Sequence, residues 1–361
     1  MAQDLTREQV LGFRVRAQQL DRASGTVADT AVLDLGVQDT GPDGARWALA
    51  LRGVTDVPDD DVALAWTVRG APHLYRRADL PGVVAATAPF SDADAGKRIF
   101  DAAKPLKAAG IPNLMALDVV AAEMRAIAAE PTVKGEMSRQ LTERLPTPYL
   151  RFCRPCDATH VHEQPFRLAA LRAGLELVPG TSPPVLRRVP GLTAAVEAPD
   201  HLDVVRGYLR LLGPATPAHV AGYLDAPVKE VKAHWPEDAV QVAVVGETRW
   251  VLASDAEAPD REPPRVTRLL GPFDLLLQGR DRELMVDDPA HRKALWPVLG
   301  RPGAVLVDRA IAGSWRARNA GASTSVTVDL WAPALRDPIE AEAERLAAFR
   351  GTKLAAFDVS T

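Results

Sequence analysis

The sequence predicts an α+β protein made of tandem winged helix-turn-helix domains, three in number, followed by a β-rich C-terminal domain with a closing helix. Two observations carry this prediction. Residues 200–254 have the pattern of three helices followed by a two-stranded hairpin, and residues 303–350 have that of strands followed by one helix. Because 361 residues are too many for one compact core, several domains are expected.

The composition is that of a globular protein, with 47% hydrophobic and 25% charged residues. Apolar runs are interrupted by charges well before the length of a membrane-spanning helix, so no membrane association is expected. The polar start MAQDLTREQV does not have the pattern of a signal peptide. Two cysteines favour a reducing compartment, and we expect a cytoplasmic monomer.

The third winged helix, residues 196–258, has the clearest pattern. Apolar residues recur on one helical face over 202–212, and this helix ends at Gly213. Thr216 and Pro217 suit the N-cap and first position of the next helix. A third short helix follows, and alternating valines over 240–244 then predict a hairpin that turns at Gly246.

The first predicted domain, residues 1–88, has a similar order. Thr6 and Gln9 are spaced as a capping box, and two further helical stretches follow at 30–38 and 43–53. The segment LAWTVRGAPHLYRRADL then alternates as two strands that turn near Gly70. These features predict a winged helix.

The region 89–195 is helical and less regular. Its candidate recognition helix has Thr132 as cap and Pro146 as stop, and the segment PFRLAALRAGLELVPG resembles the start of a wing. After the Pro-rich linker EAPDREPPR, residues 265–361 predict strands and a closing helix capped by Asp337 and ended by Gly351.

The charge does not indicate a uniformly basic surface, because the net charge is –4. It is uneven, however: residues 134–172 contain seven basic and four acidic side chains. Arginine outnumbers lysine, and its guanidinium suits bidentate phosphate contacts, although a GC-rich genome would also favour it. A local basic channel for nucleic acid therefore stays open.

Several segments together resemble the bacterial winged-helix DNA glycosylase superfamily. They are RGYLRLLGPATPAHVAGYL, LLGPFDLLLQGRDR, VLVDRAIAGSWR and VRGAPHLY. The resemblance covers most of the chain and implies three winged helices and a β-domain that form a clamp around double-stranded DNA. It also implies a monofunctional glycosylase that removes N7- or N3-alkylated purines, including bulky or crosslinked adducts, in repair or in resistance to a genotoxin.

The catalytic motif of that family is Gln, an aliphatic residue, then Gln or Asp, commonly followed by Asp. By resemblance it falls on Gly36-Val37-Gln38, followed by Asp39, so Gly36 replaces the first Gln. We expect Gln38 and Asp39 to be catalytic, with Asp34 as a weaker substitute. The alternative is that Asp39 and Thr40 only cap the helix starting near Asp43 while Gln38 faces solvent.

These residue types suit the reaction. Alkylation at N7 or N3 leaves the purine cationic, so the base departs without strong acid catalysis. A carboxamide oxygen can hold a water, and a carboxylate can act as a base or stabilise the sugar cation. No metal or organic cofactor is expected for this chemistry.

The candidate DNA-contacting residues lie mostly in the two wings. They are His73, Arg69, Arg76, Arg77, Arg139, Arg249 and Arg280. For His73 the alternative is a histidine that braces the hairpin. In the segment GPFDLLLQGRDREL, the acids and arginines could bind phosphate, but an internal Asp–Arg network is favoured because buried Arg usually needs a paired acid.

Cys153, Cys156, His160 and His162 form a C-x2-C-x3-H-x-H pattern. The first pair has zinc-knuckle spacing, whereas H-x-H is tighter than the usual pair. The alternative is two reduced cysteines in a loop. A redox role is not favoured, since no thioredoxin-like strand precedes the pair.

Two other function classes stay open. Gly36 favours a DNA-binding protein without catalysis, either a regulator or an adduct-sequestering protein. The net negative charge would suit an array of winged helices that binds other proteins.

Overall fold

The computed structural model describes residues 4–260, 264–332 and 335–360. The α+β composition is confirmed, with several sheets among many helices. Residues 261–263 of the predicted linker lie outside the described residues.

The α-helices of the described residues are α1 (Arg7–Ala17), α2 (Gly44–Ala50), α3 (Leu80–Thr87), α4 (Asp92–Arg98), α5 (Ala103–Ala108), α6 (Asn113–Ile127), α7 (Lys134–Arg144), α8 (Glu163–Arg172), α9 (Val204–Leu212), α10 (Pro217–Leu224), α11 (Val228–Ala233), α12 (Arg282–Met285), α13 (Pro289–Leu295) and α14 (Arg336–Phe349).

The strands are β1 (Asp4–Leu5), β2 (Val37–Gln38), β3 (Val62–Trp66), β4 (Pro72–Arg76), β5 (Thr132–Val133), β6 (Leu150–Cys153), β7 (Ala158–Val161), β8 (Leu175–Leu177), β9 (Val185–Arg188), β10 (Ala239–Val244), β11 (Glu247–Leu252), β12 (Thr267–Leu270), β13 (Gly303–Val307), β14 (Ala310–Ala320), β15 (Ser323–Leu330) and β16 (Lys353–Ser360).

The chain forms two compact units, each built from separate stretches of sequence. Unit 1 comprises residues 1–57, 207–219 and 236–361, and unit 2 comprises residues 58–206 and 220–235. The number of winged-helix domains and the boundaries of the four predicted domains stay predictions.

Unit 1 is organised around a five-stranded sheet in the order β12-β13-β14-β15-β16. Strands β12, β13, β14 and β15 pair with one another in antiparallel fashion, and β16 runs parallel to β15. The core contains Trp47 and Trp315, whose indole N–H groups each donate 2.8 Å hydrogen bonds to the β12 carbonyls of Leu269 and Leu270. Burying each ring with its N–H bonded avoids the cost of an unpaired polar group.

The N-terminal helix of unit 1 starts as predicted. The Thr6 side chain accepts from the Gln9 N–H, and the Gln9 side chain accepts from the Thr6 N–H, which completes the capping box. Before this helix, β1 pairs in parallel with β10, and β10 pairs with β11 in an antiparallel hairpin that turns at Gly246.

Unit 2 contains strands in the order β4-β3-β8-β9-β5 and a separate hairpin, β6-β7. The predicted strand pair around Gly70 is confirmed as β3 and β4, with Ala65 opposite His73. Gly70 has φ +67°, where a Cβ would be strained, so glycine suits this turn.

Four local predictions were wrong. Residues 30–38 form a short 3-10 helix and strand β2, because Gly36 adopts φ +80° and breaks the helix. Thr132 does not cap α7, since it pairs with Leu186 in the sheet. Asp337 lies in the first turn of α14 instead of at the N-cap, which is Leu335. Strand β16 follows the helix that was predicted to close the chain.

The predicted order of elements over 204–252 is confirmed: α9, α10 and α11 are followed by the hairpin β10-β11. Thr216 Oγ1 accepts from the His219 N–H at 3.3 Å, which is the predicted cap of α10. Among the described residues, the structure contains no helix that is both long and apolar enough to span a membrane.

Candidate active site and DNA-contacting residues

The candidate catalytic segment lies in unit 1 between the 3-10 helix Ala31–Asp34 and α2. Gly36 has φ +80° and donates its N–H to the Leu33 carbonyl at 3.3 Å. A side chain at this φ costs on the order of 1–2 kcal/mol, so the backbone itself favours glycine over the family's first Gln. Leu35 and Val37 are buried on either side, which fixes the segment.

Gln38 is half-buried at the end of β2. Its amide Nε2 donates to Thr40 Oγ1 at 3.1 Å. Within the ranges that the structure describes, its carboxamide oxygen accepts no hydrogen bond. The side chain is therefore held by one end and offers an acceptor at the other.

Asp39 forms a hydrogen bond with the first turn of the next helix, α2. One carboxylate oxygen accepts the Ala45 N–H at 2.8 Å, which satisfies a donor in the first turn of α2. The capping contact is present for Asp39, whereas Thr40 contacts Gln38; the catalytic role of Asp39 stays a prediction. The second oxygen of Asp39 forms no hydrogen bond within the described part of the chain.

Asp34, the weaker candidate, pairs with Arg210 of α9 at 2.7 Å. One turn earlier on that helix, a Cβ built on Gly207 would lie 2.7 Å from the Leu35 side chain. The RGYLR motif thus packs against the candidate catalytic segment. This motif is one of the segments on which the family resemblance is based. Its pairing with Asp34 could not be predicted from the sequence, because Asp34 and Arg210 are 176 positions apart.

His73 is buried in unit 2 and only 2% exposed. Its Nδ1 lies 2.9 Å from the Ala71 carbonyl and 3.1 Å from Thr67 Oγ1. Burial, then the charge of Arg69, lowers the pKa of His73 to about 3. The predicted DNA contact does not fit this placement, and the alternative of a hairpin-bracing histidine does.

The arginines around this hairpin also have internal partners. Arg69 donates to the Tyr223 carbonyl and lies over the Tyr223 ring at 5.1 Å. Arg76 pairs with Asp79 at 3.0 Å, and Arg77 pairs with Glu176 at 3.0 Å. Their contacts support the fold of unit 2 instead of leaving three cations ready for phosphate.

Arg139 is different, because its side chain is 56% exposed on α7. It forms ion pairs with Glu136 at 2.7 Å and Glu143 at 2.5 Å on the same helix. Exposed pairs of this kind contribute little and exchange readily. A phosphate contact would compete with two acids.

The predicted Asp–Arg network of LLLQGRDR is confirmed in unit 1. Asp281 binds Arg14 at 2.6 Å and Arg249 at 2.5 Å. Burial opposes ionisation of Asp281, but the charge and hydrogen bonds of Arg14 outweigh it, followed by the charge of Arg249, so the pKa of Asp281 is lowered. Arg249 is therefore a buried structural arginine, and its predicted DNA contact does not fit.

Asp274 belongs to a second buried pair. Its two oxygens accept from Arg52 at 2.8 and 3.0 Å, and both side chains are fully buried. Arg52 also donates to the carbonyls of Gln18 and Ala48. This pair joins the first and the last sequence segments of unit 1 through residues that are 222 positions apart.

Arg280 is the predicted arginine that keeps its charge available. Within the described residues, neither Arg280 nor its neighbour Arg301 pairs with a carboxylate, and the Arg280 Nε is buried without an acceptor. Burial, and then the charge of Arg280, lowers the pKa of Arg301. Two guanidiniums that repel each other and have no carboxylate partner would be stabilised by an anion. Arg301 is a functional candidate that only the structure indicates, because no motif in the sequence marks it.

Arg280 also lines a cleft of about 470 Å³ in unit 1. Five basic and three acidic side chains border it: Arg249, Arg280, Arg282, Arg292 and Lys293 against Glu247, Asp281 and Glu283. The basic excess suits a polyanionic ligand.

The structure brings together three of the four Cys/His residues. Sulfur and nitrogen atoms of Cys153, Cys156 and His160 all lie within 4.8 Å of one another on the β6-β7 hairpin. Interactions with His160, and then with the Cys156 backbone, lower the pKa of Cys153 to about 7. His162 lies apart, facing Asp101 at 3.5 Å.

Comparisons with known proteins agree with this fold. The family model described as DNA glycosylase AlkZ-like matches residues 32–349. The solved structure of the Streptomyces sahachiroi DNA glycosylase AlkZ is similar with a TM-score of 0.74 and 21% identity, covering 99% of this chain and 100% of that one. No curated protein sequence matches this chain. The matched span includes Gln38, Asp281, Arg249 and most of the β-domain, and the chain belongs to the AlkZ-like DNA glycosylase family.

Proposed function

We propose that the protein is a monofunctional DNA glycosylase that hydrolyses the N-glycosidic bond of N7- or N3-alkylated purines in double-stranded DNA. Membership of the AlkZ-like DNA glycosylase family supports the reaction class. The single observation that carries the mechanism is Gln38, held by Thr40 with its carboxamide oxygen left as an acceptor.

The chemistry asks little of the enzyme once the base is alkylated. A cationic purine is a good leaving group, and the enzyme has to hold a water and stabilise the positive charge that develops on the sugar. The Gln38 oxygen accepts a hydrogen bond from the water and so directs the lone pair of the water to C1′. Because Thr40 fixes the amide, little ordering is needed when DNA binds.

Asp39 supplies negative charge beside Gln38. Its first oxygen accepts the Ala45 N–H, and its second oxygen forms no hydrogen bond within the described residues, so we assign that oxygen to the reaction. In this role the carboxylate stabilises the oxocarbenium-like sugar and accepts the proton that the water releases. Binding α2 also holds the carboxylate in one orientation.

The anion-binding surface of unit 1 centres on Arg280. The excess of basic side chains in its cleft, and the neighbouring Arg301, suit contacts to the phosphate backbone. Arg139 adds an exposed cation on α7 of unit 2.

A test compares duplexes that carry one N7-methylguanine, one bulky N7 adduct, one uracil or no lesion. The proposal predicts abasic sites only in the two alkylated duplexes, without strand cleavage until alkali is added. Release of uracil, or direct strand cleavage, would refute the substrate class or the monofunctional reaction.

Gly36 favours a second candidate, a DNA-binding protein without catalysis that regulates genes or sequesters adducts. The left-handed backbone at Gly36 disfavours the first Gln of the family motif, and one of two expected side chains is missing. Tight binding of alkylated duplex without base release would establish this alternative.

A further inference from the structure

We propose that Cys153, Cys156 and His160 bind a thiophilic divalent metal ion, Zn²⁺ in the first place, at the end of the β6-β7 hairpin. Their ligand atoms all lie within 4.8 Å of one another, close enough to surround one ion after small side-chain rotations. Zinc bound by proteins takes cysteine sulfur at about 2.3 Å and histidine nitrogen at about 2.0–2.1 Å.

The hairpin backbone creates this arrangement. Cys153 ends β6 opposite Ala158, and residues 154–156 form a 3-10 turn that brings Cys156 back towards it. Asp157 completes the turn in the left-handed conformation. This turn places both sulfur atoms on one side, within 4.8 Å of each other and of the His160 ring nitrogen.

The histidine is oriented for coordination. His160 Nδ1 lies 2.9 Å from the Val161 carbonyl, and a carbonyl can only accept, so Nδ1 carries the proton. The neutral ring then has its lone pair on Nε2. Metal-binding histidines are commonly fixed by such a hydrogen bond to a backbone carbonyl.

The fourth residue of the sequence pattern does not take part. His162 follows the end of β7 and precedes α8, so the alternation that would place it beside His160 is broken. It is buried near Asp101. Within the described ranges, no further His, Cys, Asp or Glu joins the group, so solvent would fill the fourth position.

The position of the hairpin indicates a structural role for the ion. Immediately after β7, α8 carries Arg167, which donates to the Gly70 carbonyl at the β3-β4 turn. On the other side, Lys134 of α7 pairs with Glu163 of α8 at 2.7 Å. Fixing the hairpin would therefore stabilise the start of α8 and its contacts within unit 2.

Binding exchanges protons for the metal. Each cysteine loses its thiol proton as the S–metal bond forms, and neutral His160 contributes its Nε2 lone pair without losing a proton. Where both thiols start protonated, two protons are released per ion, and no oxidant is needed. A Cys153–Cys156 disulfide would instead require an oxidant and would remove both ligands.

The test uses the full chain, reduced, stripped with chelator and titrated with Co²⁺ and then Zn²⁺. We expect one Co²⁺ per chain with thiolate-to-cobalt charge-transfer absorption, displaced by one Zn²⁺. Cys153→Ser, Cys156→Ser and His160→Ala should each lose or shift this absorption and weaken binding at least tenfold. His162→Ala and the exposed His201→Ala are controls that should retain it.

Other outcomes would overturn the proposal. They are a wild-type chain without charge-transfer absorption, ion binding that survives in both cysteine variants, or equal loss in His162→Ala and His160→Ala. A wild-type chain purified from a reducing cytoplasm with a Cys153–Cys156 disulfide would also overturn it. If a variant fails to fold, the wild type is loaded with Zn²⁺ and treated with a thiol-blocking mercurial: release of one Zn²⁺ per chain supports the proposal, and no release contradicts it. None of these measurements depends on glycosylase activity.

Discussion

At the scale of single residues, the two neighbours Gln38 and Asp39 have separate structural duties. Gln38 is held by Thr40, and Asp39 binds the first turn of α2. A carboxylate that caps a helix can still act through its charge, so the structural and catalytic roles of Asp39 must be separated by choice of substitution.

Asp39→Asn and Asp39→Ala provide that separation. Asn retains an oxygen for the Ala45 N–H, so its free energy of unfolding should stay within about 0.5 kcal/mol of wild type, whereas Ala should lose about 1 kcal/mol. Base release should fall in both, since both lose the negative charge. Chemical denaturation and single-turnover base release measure the two effects; full activity in Asp39→Asn would limit Asp39 to capping.

Gly36 stands where the family motif has its first Gln, and the backbone conformation explains the glycine. By pattern alone, glycine looked like the loss of a catalytic side chain. The positive φ gives a physical reason for glycine at this site, but dihedral angles of single residues are not readable from the sequence.

At the scale of elements, the β3-β4 hairpin contains a buried neutral histidine. The pKa of His73 is about 3 in the fold and about 6.5 in an unfolded chain. Above pH 6.5, His73 is neutral in both the folded and the unfolded chain, and the folded state has its full stability. As the pH falls below 6.5, the free energy of unfolding decreases, because only the unfolded chain binds a proton at His73.

We therefore expect wild type to lose up to about 1.4 kcal/mol of stability per pH unit between about pH 6 and pH 4 through this group alone. His73→Gln should be less stable at pH 7 but should lose this part of the slope. Urea denaturation at several pH values measures it, with His201→Gln as an exposed control. Parallel pH profiles for wild type and His73→Gln would contradict the pKa of His73.

Elements were predictable where the signal is local. The Thr6–Gln9 capping box, the Gly70 and Gly246 turns, and the helices of 204–233 depend on residues a few positions apart. Thr132 was misassigned because its strand partner, Leu186, lies 54 positions away. Strand β16 was missed for a similar reason, since its pairing partner β15 precedes the intervening helix α14.

At the scale of the whole molecule, buried ion pairs join distant parts of unit 1. Asp274→Ala would leave the Arg52 guanidinium buried without its partner, and the expected loss is about 3–5 kcal/mol in the free energy of unfolding. Glu143→Ala, which breaks an exposed pair with Arg139, should cost less than about 1 kcal/mol. Equal losses in thermal or urea unfolding would contradict the assigned burial.

The charge of the whole chain conceals its candidate DNA surface. Net charge is –4, yet within the described residues neither Arg280 nor Arg301 pairs with a carboxylate, and the charge of Arg280 lowers the pKa of Arg301. Arg280→Gln and Arg301→Gln should each reduce the slope of log binding constant against log salt concentration by about one. Arg249→Gln should leave that slope unchanged, because Arg249 is buried with Asp281. An unchanged slope in both of the first two variants would remove this surface from the DNA interface.

The candidate site could be found from sequence only in part. Resemblance led to Gln38 and Asp39, and the basic residues were chosen from wing positions. Most of those arginines have internal partners in the structure, and a free and a paired arginine look the same in a sequence; their DNA contacts stay predictions. The partner acids of Arg77 and Arg249 lie 99 and 32 positions away.

The measurement that tests the central claim most directly is single-turnover base release from a duplex with one N7-methylguanine, comparing wild type with Gln38→Ala. We predict abasic sites from wild type and at least about 100-fold slower release by the variant, with DNA affinity and unfolding free energy little changed. Equal release by both proteins would remove Gln38 from the mechanism. No release by wild type, despite binding, would contradict the glycosylase assignment itself.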